Sequence, residues 1–73
     1  MNHEDLQMAR QSLMEELQAI SDYQMRVDVT NDESLKKVLG HNRDEEKEHA
    51  AVLIDWIRAN DPDQDKFFKE NDL

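Results

Sequence analysis

One glycine and one proline in 73 residues leave this chain few places to turn. With turn formers so scarce, the sequence predicts long helices and no sheet. From Glu4 to Val29 it is rich in Leu, Met, Ala, Gln, Glu and Arg, all good helix formers. Leu6, Leu13, Ile20 and Val27 recur every seven residues, and Ala9, Glu16, Tyr23 and Thr30 hold the companion positions three residues on. The pattern halts at Thr30-Asn31-Asp32-Glu33. There Thr30 and Glu33 have capping-box spacing, which predicts a second helix over 32–59. Steps of four and three from Leu35 reach Leu39, Asn42, Glu46, His49, Leu53 and Trp56, a seam that is apolar at both ends and polar in the middle. At Asn60-Asp61-Pro62, Asp61 is placed to cap a short third helix with Pro62 at its first position. Phe67 and Phe68 on that helix need a surface to pack against. The expectation is all-α: an antiparallel two-helix hairpin plus a short C-terminal helix, forming a single domain over residues 1–73.

Charge and composition narrow the function. Eighteen acidic against nine basic side chains give a net charge of −9, which argues against nucleic acid or an anionic membrane as partner. With no cysteine, disulfides, thiolate metal sites and cysteine nucleophiles are excluded. There is no apolar run of membrane-spanning length and no signal-peptide pattern, so the expected location is cytoplasmic. A chain this short with 37% hydrophobic residues needs a staple, and a metal or a partner chain remains. A lone hairpin would leave much of its apolar surface wet; two hairpins dimerising into a four-helix bundle would cover it.

The polar interruptions of the two seams fall at one height. Glu16 lies fifteen residues before Asn31 and Glu46 fifteen after it, so at about 1.5 Å rise per residue they face each other across the hairpin. His49 follows Glu46 by one helical turn. Two copies would supply four carboxylates and two imidazoles, the donor set of two-metal carboxylate sites in helix bundles. Two divalent cations would neutralise the four carboxylates, turning the costliest feature of the seam into its staple. The competing reading places Glu46 and His49 on a solvated helix face, at the cost of interrupting a seam otherwise made of Leu and Trp.

Glu16, Tyr23 seven residues on, Glu46 thirty residues after Glu16, and then His49 together resemble the encapsulated ferritins, two-helix members of the ferritin-like group. The similarity covers most of the chain, including the short helix after Pro62. It implies that Glu16, Glu46 and His49 ligate two irons per dimer, at a two-fold interface of a ferritin-like four-helix bundle. It further implies ferroxidase activity, with iron(II) and dioxygen as substrates, for iron storage or detoxification. Dimers would assemble into a ring and work with an encapsulin shell, inside its nanocompartment. By the same resemblance Tyr23 would support a ligand carboxylate, although an ordinary core tyrosine is equally compatible. Glu15 matches an acidic residue at a metal-access point, where its partner position holds Gln18, a neutral amide that does not attract cations; a plain surface acid is the alternative. Encapsulated members carry a C-terminal extension with a targeting peptide, and none is visible in this sequence, whose last residues are Phe67 to Leu73. A shortened chain or a free-standing relative would each account for that.

The remaining candidates rank lower. His3 and His41 read as surface residues, Met8, Met14 and Met25 as packing residues, and Trp56 and Leu53 as core at one end of the bundle. Asp44 and Glu45 read as solvated, and Gly40 as a place where a second helix comes close. Two functions compete with iron oxidation. One is a non-catalytic helical dimer clamped by manganese, zinc or calcium, which accept overlapping donors. The other is an acidic helical module that docks on another protein.

Overall fold

The computed structural model describes residues 3–73, so the first two residues of the expected 1–73 domain lie outside it. The described residues form three helices and no strand: α1 (His3–Val29), α2 (Glu33–Asn60) and α3 (Pro62–Glu70). The first two pack antiparallel along their length, as the seven-residue spacing requires, and α3 packs against the end of α2. No described helix is long and apolar enough to cross a membrane.

Each turn is fixed by side chains of its own sequence. The cap of α2 is Asp32 rather than Thr30: its Oδ1 accepts from the Leu35 amide at 3.0 Å and from the Ser34 hydroxyl at 2.7 Å. An ionised carboxylate is a stronger acceptor than a hydroxyl, so the aspartate takes the helix-start amide. Thr30 Oγ1 instead accepts from the Asp32 amide at 3.2 Å, shaping the turn between the helices. Glu33 becomes the first helical residue and pairs with Lys36 at 3.9 Å. The third helix starts as expected, with Asp61 accepting from the Gln64 amide and Pro62 opening the helix.

Along α1 the seam runs as expected, with Leu6 buried and Leu13, Glu16, Ile20, Tyr23 and Val27 half-buried. On α2 it is rotated. Ala50 and Ile57 are buried against α1, whereas Leu35 and Trp56 are 45% and 39% exposed. Trp56 is therefore not core within the chain, because a helix facing one neighbour buries only one stripe. Leu35, Asn42, His49 and Trp56, seven residues apart, occupy the flank of that stripe. Gly40 has no second helix against it either; an added Cβ there would meet the Arg43 guanidinium at 3.6 Å, an ordinary contact. Met8, Met14 and Met25 are exposed rather than packed. His41 is exposed and pairs with Glu45 one turn on.

Two flanks of the hairpin thus differ. On one, Phe68 of α3 lines a cleft together with Leu13, Ile54 and Ile57 of the long helices. Arg58 holds it there, with its guanidinium 4.6 Å from the Phe68 ring centroid, 2.7 Å from Asp65 and 2.9 Å from the Leu73 carbonyl oxygen. Phe67, by contrast, is exposed. The other flank carries His49 and Trp56, about 140° around α2 from Ile54 to His49 at roughly 100° per residue, and no described helix covers it. This open face positions the candidate site.

Candidate metal centre

Midway along the hairpin, the Glu16 carboxylate of α1 meets the Glu46 carboxylate and His49 imidazole of α2. One ligand atom from each of the three lies within 4.8 Å of the others. The equal fifteen-residue distances from the turn put the carboxylates at one level, and the three-residue step brings His49 back over Glu46. His49 Nδ1 stands 3.5 Å from Glu46 Oε2 and 3.6 Å from Glu16 Oε2. Both carboxylates are largely shielded, at 25% and 22% side-chain exposure, while His49 is 53% exposed on the open face. Buried Ala50, one turn beyond Glu46, keeps this stretch of the interface narrow.

The electrostatics of the cluster are unbalanced. Glu16 Oε2 is buried and accepts no hydrogen bond. A shielded carboxylate oxygen without a donor is costly, and a second carboxylate beside it adds like-charge repulsion. Two oxygens and one imidazole nitrogen without sulfur fit iron or manganese and accept zinc. A cation placed among them would satisfy the orphaned oxygen and offset the repulsion, so the donor set fits a metal ion.

The other expected site residues stand apart from this cluster. Tyr23 lies half-buried two turns from Glu16, with the Arg26 guanidinium 5.4 Å from its ring centroid. Among the described residues no hydrogen bond joins its hydroxyl to either carboxylate. Glu15 is exposed and accepts from Gln11 at 3.1 Å, while Gln18 donates to Asp22 at 3.0 Å. Each amide thus bonds the acid one turn on, along the outside of α1. Asp44 is likewise exposed and pairs with Arg43. One tie was not foreseen from sequence: Arg43 Nη1 donates to Gln24 Oε1 at 3.0 Å, pinning α2 to α1 one turn from Glu46. Long polar side chains carry no periodic signal that would have marked it.

Comparison with known proteins places the chain in a family. Residues 1–71 match the EncFtn-like family. A ferritin-like protein of Thermotoga maritima is 50% identical over 62 residues, covering 85% of this chain and 54% of that one. An encapsulated ferritin-like protein of Rhodospirillum rubrum is 56% identical over 50 residues, covering 68% of this chain and 36% of that one. An encapsulin nanocompartment cargo protein, EncC of Myxococcus xanthus, is 39% identical over 69 residues, covering 90% and 53%. The chain thus spans from about a third to just over half the length of these curated relatives. The crystal structure of protein ne0167 from Nitrosomonas europaea superposes with a TM-score of 0.89 at 50% identity, covering 96% of this chain and 79% of that one. By its sequence, the chain belongs to the encapsulated ferritin (EncFtn-like) family.

Proposed function

We propose that this chain is a ferroxidase, oxidising iron(II) to iron(III) with dioxygen at a centre shared by two copies. The observation that carries the reading is the convergence of Glu16, Glu46 and His49 on an open face, with a buried carboxylate oxygen left without a donor. Three donor groups do not fill the coordination shell of a hard cation, and His49 points its exposed side away from the chain's own helices. A second hairpin on the same face would bring another three donors, giving four carboxylates and two imidazoles around two ions. Four negative charges balance two divalent cations and oppose their escape; carboxylate oxygens also favour the trivalent product.

Each residue then has a role. Glu16, held by α1, and Glu46, held by α2, fix the separation of the ions because the paired helices fix theirs. His49 supplies the neutral nitrogen donor, its Nδ1 turned toward both carboxylates. The iron is substrate, delivered as iron(II) and released as iron(III) for storage. Names of relatives support a place for this activity: one is an encapsulated ferritin-like protein and another an encapsulin cargo protein. On this reading the chain's working partner is an encapsulin shell, and its iron is held in that compartment. Higher assembly of the dimers into a ring belongs to the same reading.

Aerobic addition of iron(II), followed by ferric absorbance, tests the proposal. The wild-type chain is expected to oxidise iron well above the buffer rate, and Glu16→Ala to fall to that rate. Equal rates for the two would remove the catalytic claim. Metal-dependent assembly without iron oxidation would point instead to a structural clamp.

A further inference from the structure

We propose that Gln24 and Arg43 are positioning residues: their bond across the hairpin holds Glu16 and Glu46 within reach of one ion before the ion binds. The inference rests on the metal centre proposed above and adds what keeps its two carboxylates together. Glu16 and Glu46 are like charges at close range, and one oxygen of Glu16 accepts no hydrogen bond, so they push α1 and α2 apart at mid-hairpin. The three fully buried residues, Leu6, Ala50 and Ile57, all lie beyond the centre from the turn, so packing holds that half of the hairpin more firmly. The turn itself is fifteen residues away on either helix, about 22 Å. Arg10 and Asp61 pair at the far end, fifteen residues past Glu46. Among the described residues, the bond from Arg43 Nη1 to Gln24 Oε1 is the one side-chain hydrogen bond joining α1 to α2 between the turn and the centre.

Helix geometry explains why these two side chains meet. Gln24 lies seven residues before Asn31 and Arg43 twelve after it, so their levels differ by about 7.5 Å. Cα–Cβ bonds tilt toward a helix N-terminus, which points α2 side chains toward the turn and α1 side chains toward the centre. The two therefore lean toward each other across that difference. Arg43 is also fixed at its own end. Its Nε donates to Asp44 Oδ1 at 3.1 Å, its Nη2 stands 3.6 Å from where a Cβ on Gly40 would be, and its side chain is only 23% exposed. A guanidinium held at two edges keeps its fork in one orientation, which a lysine cannot reproduce. Arg43 is one turn from Glu46 and about 120° around α2 from His49, so it braces the hairpin from behind without occupying a ligand position. Holding the carboxylates together in advance spares the binding energy that closing the hairpin would otherwise consume.

Calorimetric titration with manganese(II) at one chain concentration tests the role, beside thermal unfolding of each variant in chelator. Arg43→Ala and Gln24→Ala are each expected to weaken manganese binding about tenfold, the low end for groups that orient metal ligands from behind. The double variant should bind as weakly as either single one, because both lose the same interaction. Arg43→Lys keeps the charge and loses the fork, so it should bind like Arg43→Ala. Gln24→Glu keeps an acceptor for the guanidinium and should bind within about threefold of the unsubstituted chain. Gly40→Ala separates stability from positioning: its methyl group meets Arg43 at an ordinary contact distance. It should raise the melting temperature by a few degrees through helix propensity and leave manganese affinity unchanged. Unchanged affinity in the alanine variants, an Arg43→Lys chain that binds like the unsubstituted one, or affinity that follows melting temperature across the whole set overturns the positioning role and leaves the centre intact. An unsubstituted chain that takes up no manganese overturns the centre itself.

Discussion

Two regions of this small hairpin handle carboxylates in opposite ways. Around α3 every engaged acid has a cation of its own: Asp61 pairs with Arg10 at 2.9 Å, and Asp65 with Arg58 at 2.7 Å and Lys69 at 3.0 Å. At mid-hairpin, two shielded carboxylates share a single histidine, and one oxygen has no donor at all. The first region is electrostatically complete within one chain; the second is not. Among the described residues, Arg and Lys side chains pair with Asp61 and Asp65, whereas neither Glu16 nor Glu46 has an Arg or Lys partner. The contrast teaches that α3 closes its own charge balance whereas the centre keeps an unpartnered carboxylate oxygen, which is what the proposed metal centre requires.

The sharpest way to break the comparison is to neutralise one acid in each region. Glu46→Gln is expected to bring iron oxidation down to the buffer rate, the largest effect anticipated. The same change should raise the stability of the metal-free chain by about 1 kcal/mol, since it removes a like-charge neighbour from Glu16. Thermal unfolding in the presence of chelator reads that gain; a loss of stability would mean that the two carboxylates do not oppose each other.

A smaller effect is expected at the other region. Arg58→Ala removes the ring contact with Phe68, the bond to Asp65 and the bond to the Leu73 carbonyl together. It should lower the melting temperature by a few degrees and leave iron oxidation unchanged. The acid limb of the stability profile follows the same contacts. Hydrogen bonds from Arg58 and then Lys69 hold the Asp65 carboxyl below its ordinary value of 3.8, and the Gln64 amide, with Arg10, holds Asp61 below it too. A carboxyl depressed in the folded state contributes fully above its ordinary value, and the contribution is lost as pH falls further toward the folded one. Amide exchange in α3 should therefore accelerate below about pH 3.8, and more gently in Arg58→Ala, which has already lost one partner.

The parts of this molecule that were legible in the sequence are those written in local spacing. Scarce turn formers and a seven-residue apolar repeat suffice for the hairpin, and Asp61-Pro62 for the start of α3, because both depend on residues a few positions apart. The convergence of Glu16, Glu46 and His49 was legible for the same reason: equal distances from one turn determine their level. Rotation of α2 was not, because Ala50-Ile57 and His49-Trp56 fit a seven-residue repeat equally well and only packing against α1 selects between them. Asp32 displaced Thr30 as the cap through acceptor strength rather than spacing. Arg58 gathers its contacts from α3 and the C-terminal residues, and Arg43 reaches Gln24 across the hairpin; flexible side chains of this length satisfy partners that no periodicity marks.

Whether the centre is half of a shared one is tested most directly by native mass spectrometry of the chain titrated with iron(II) without oxygen. The prediction is a dimer carrying two iron ions, one per chain, with Glu16→Ala dimers carrying none. A monomer that binds its own ion, or a dimer whose mass is indifferent to iron, would contradict it.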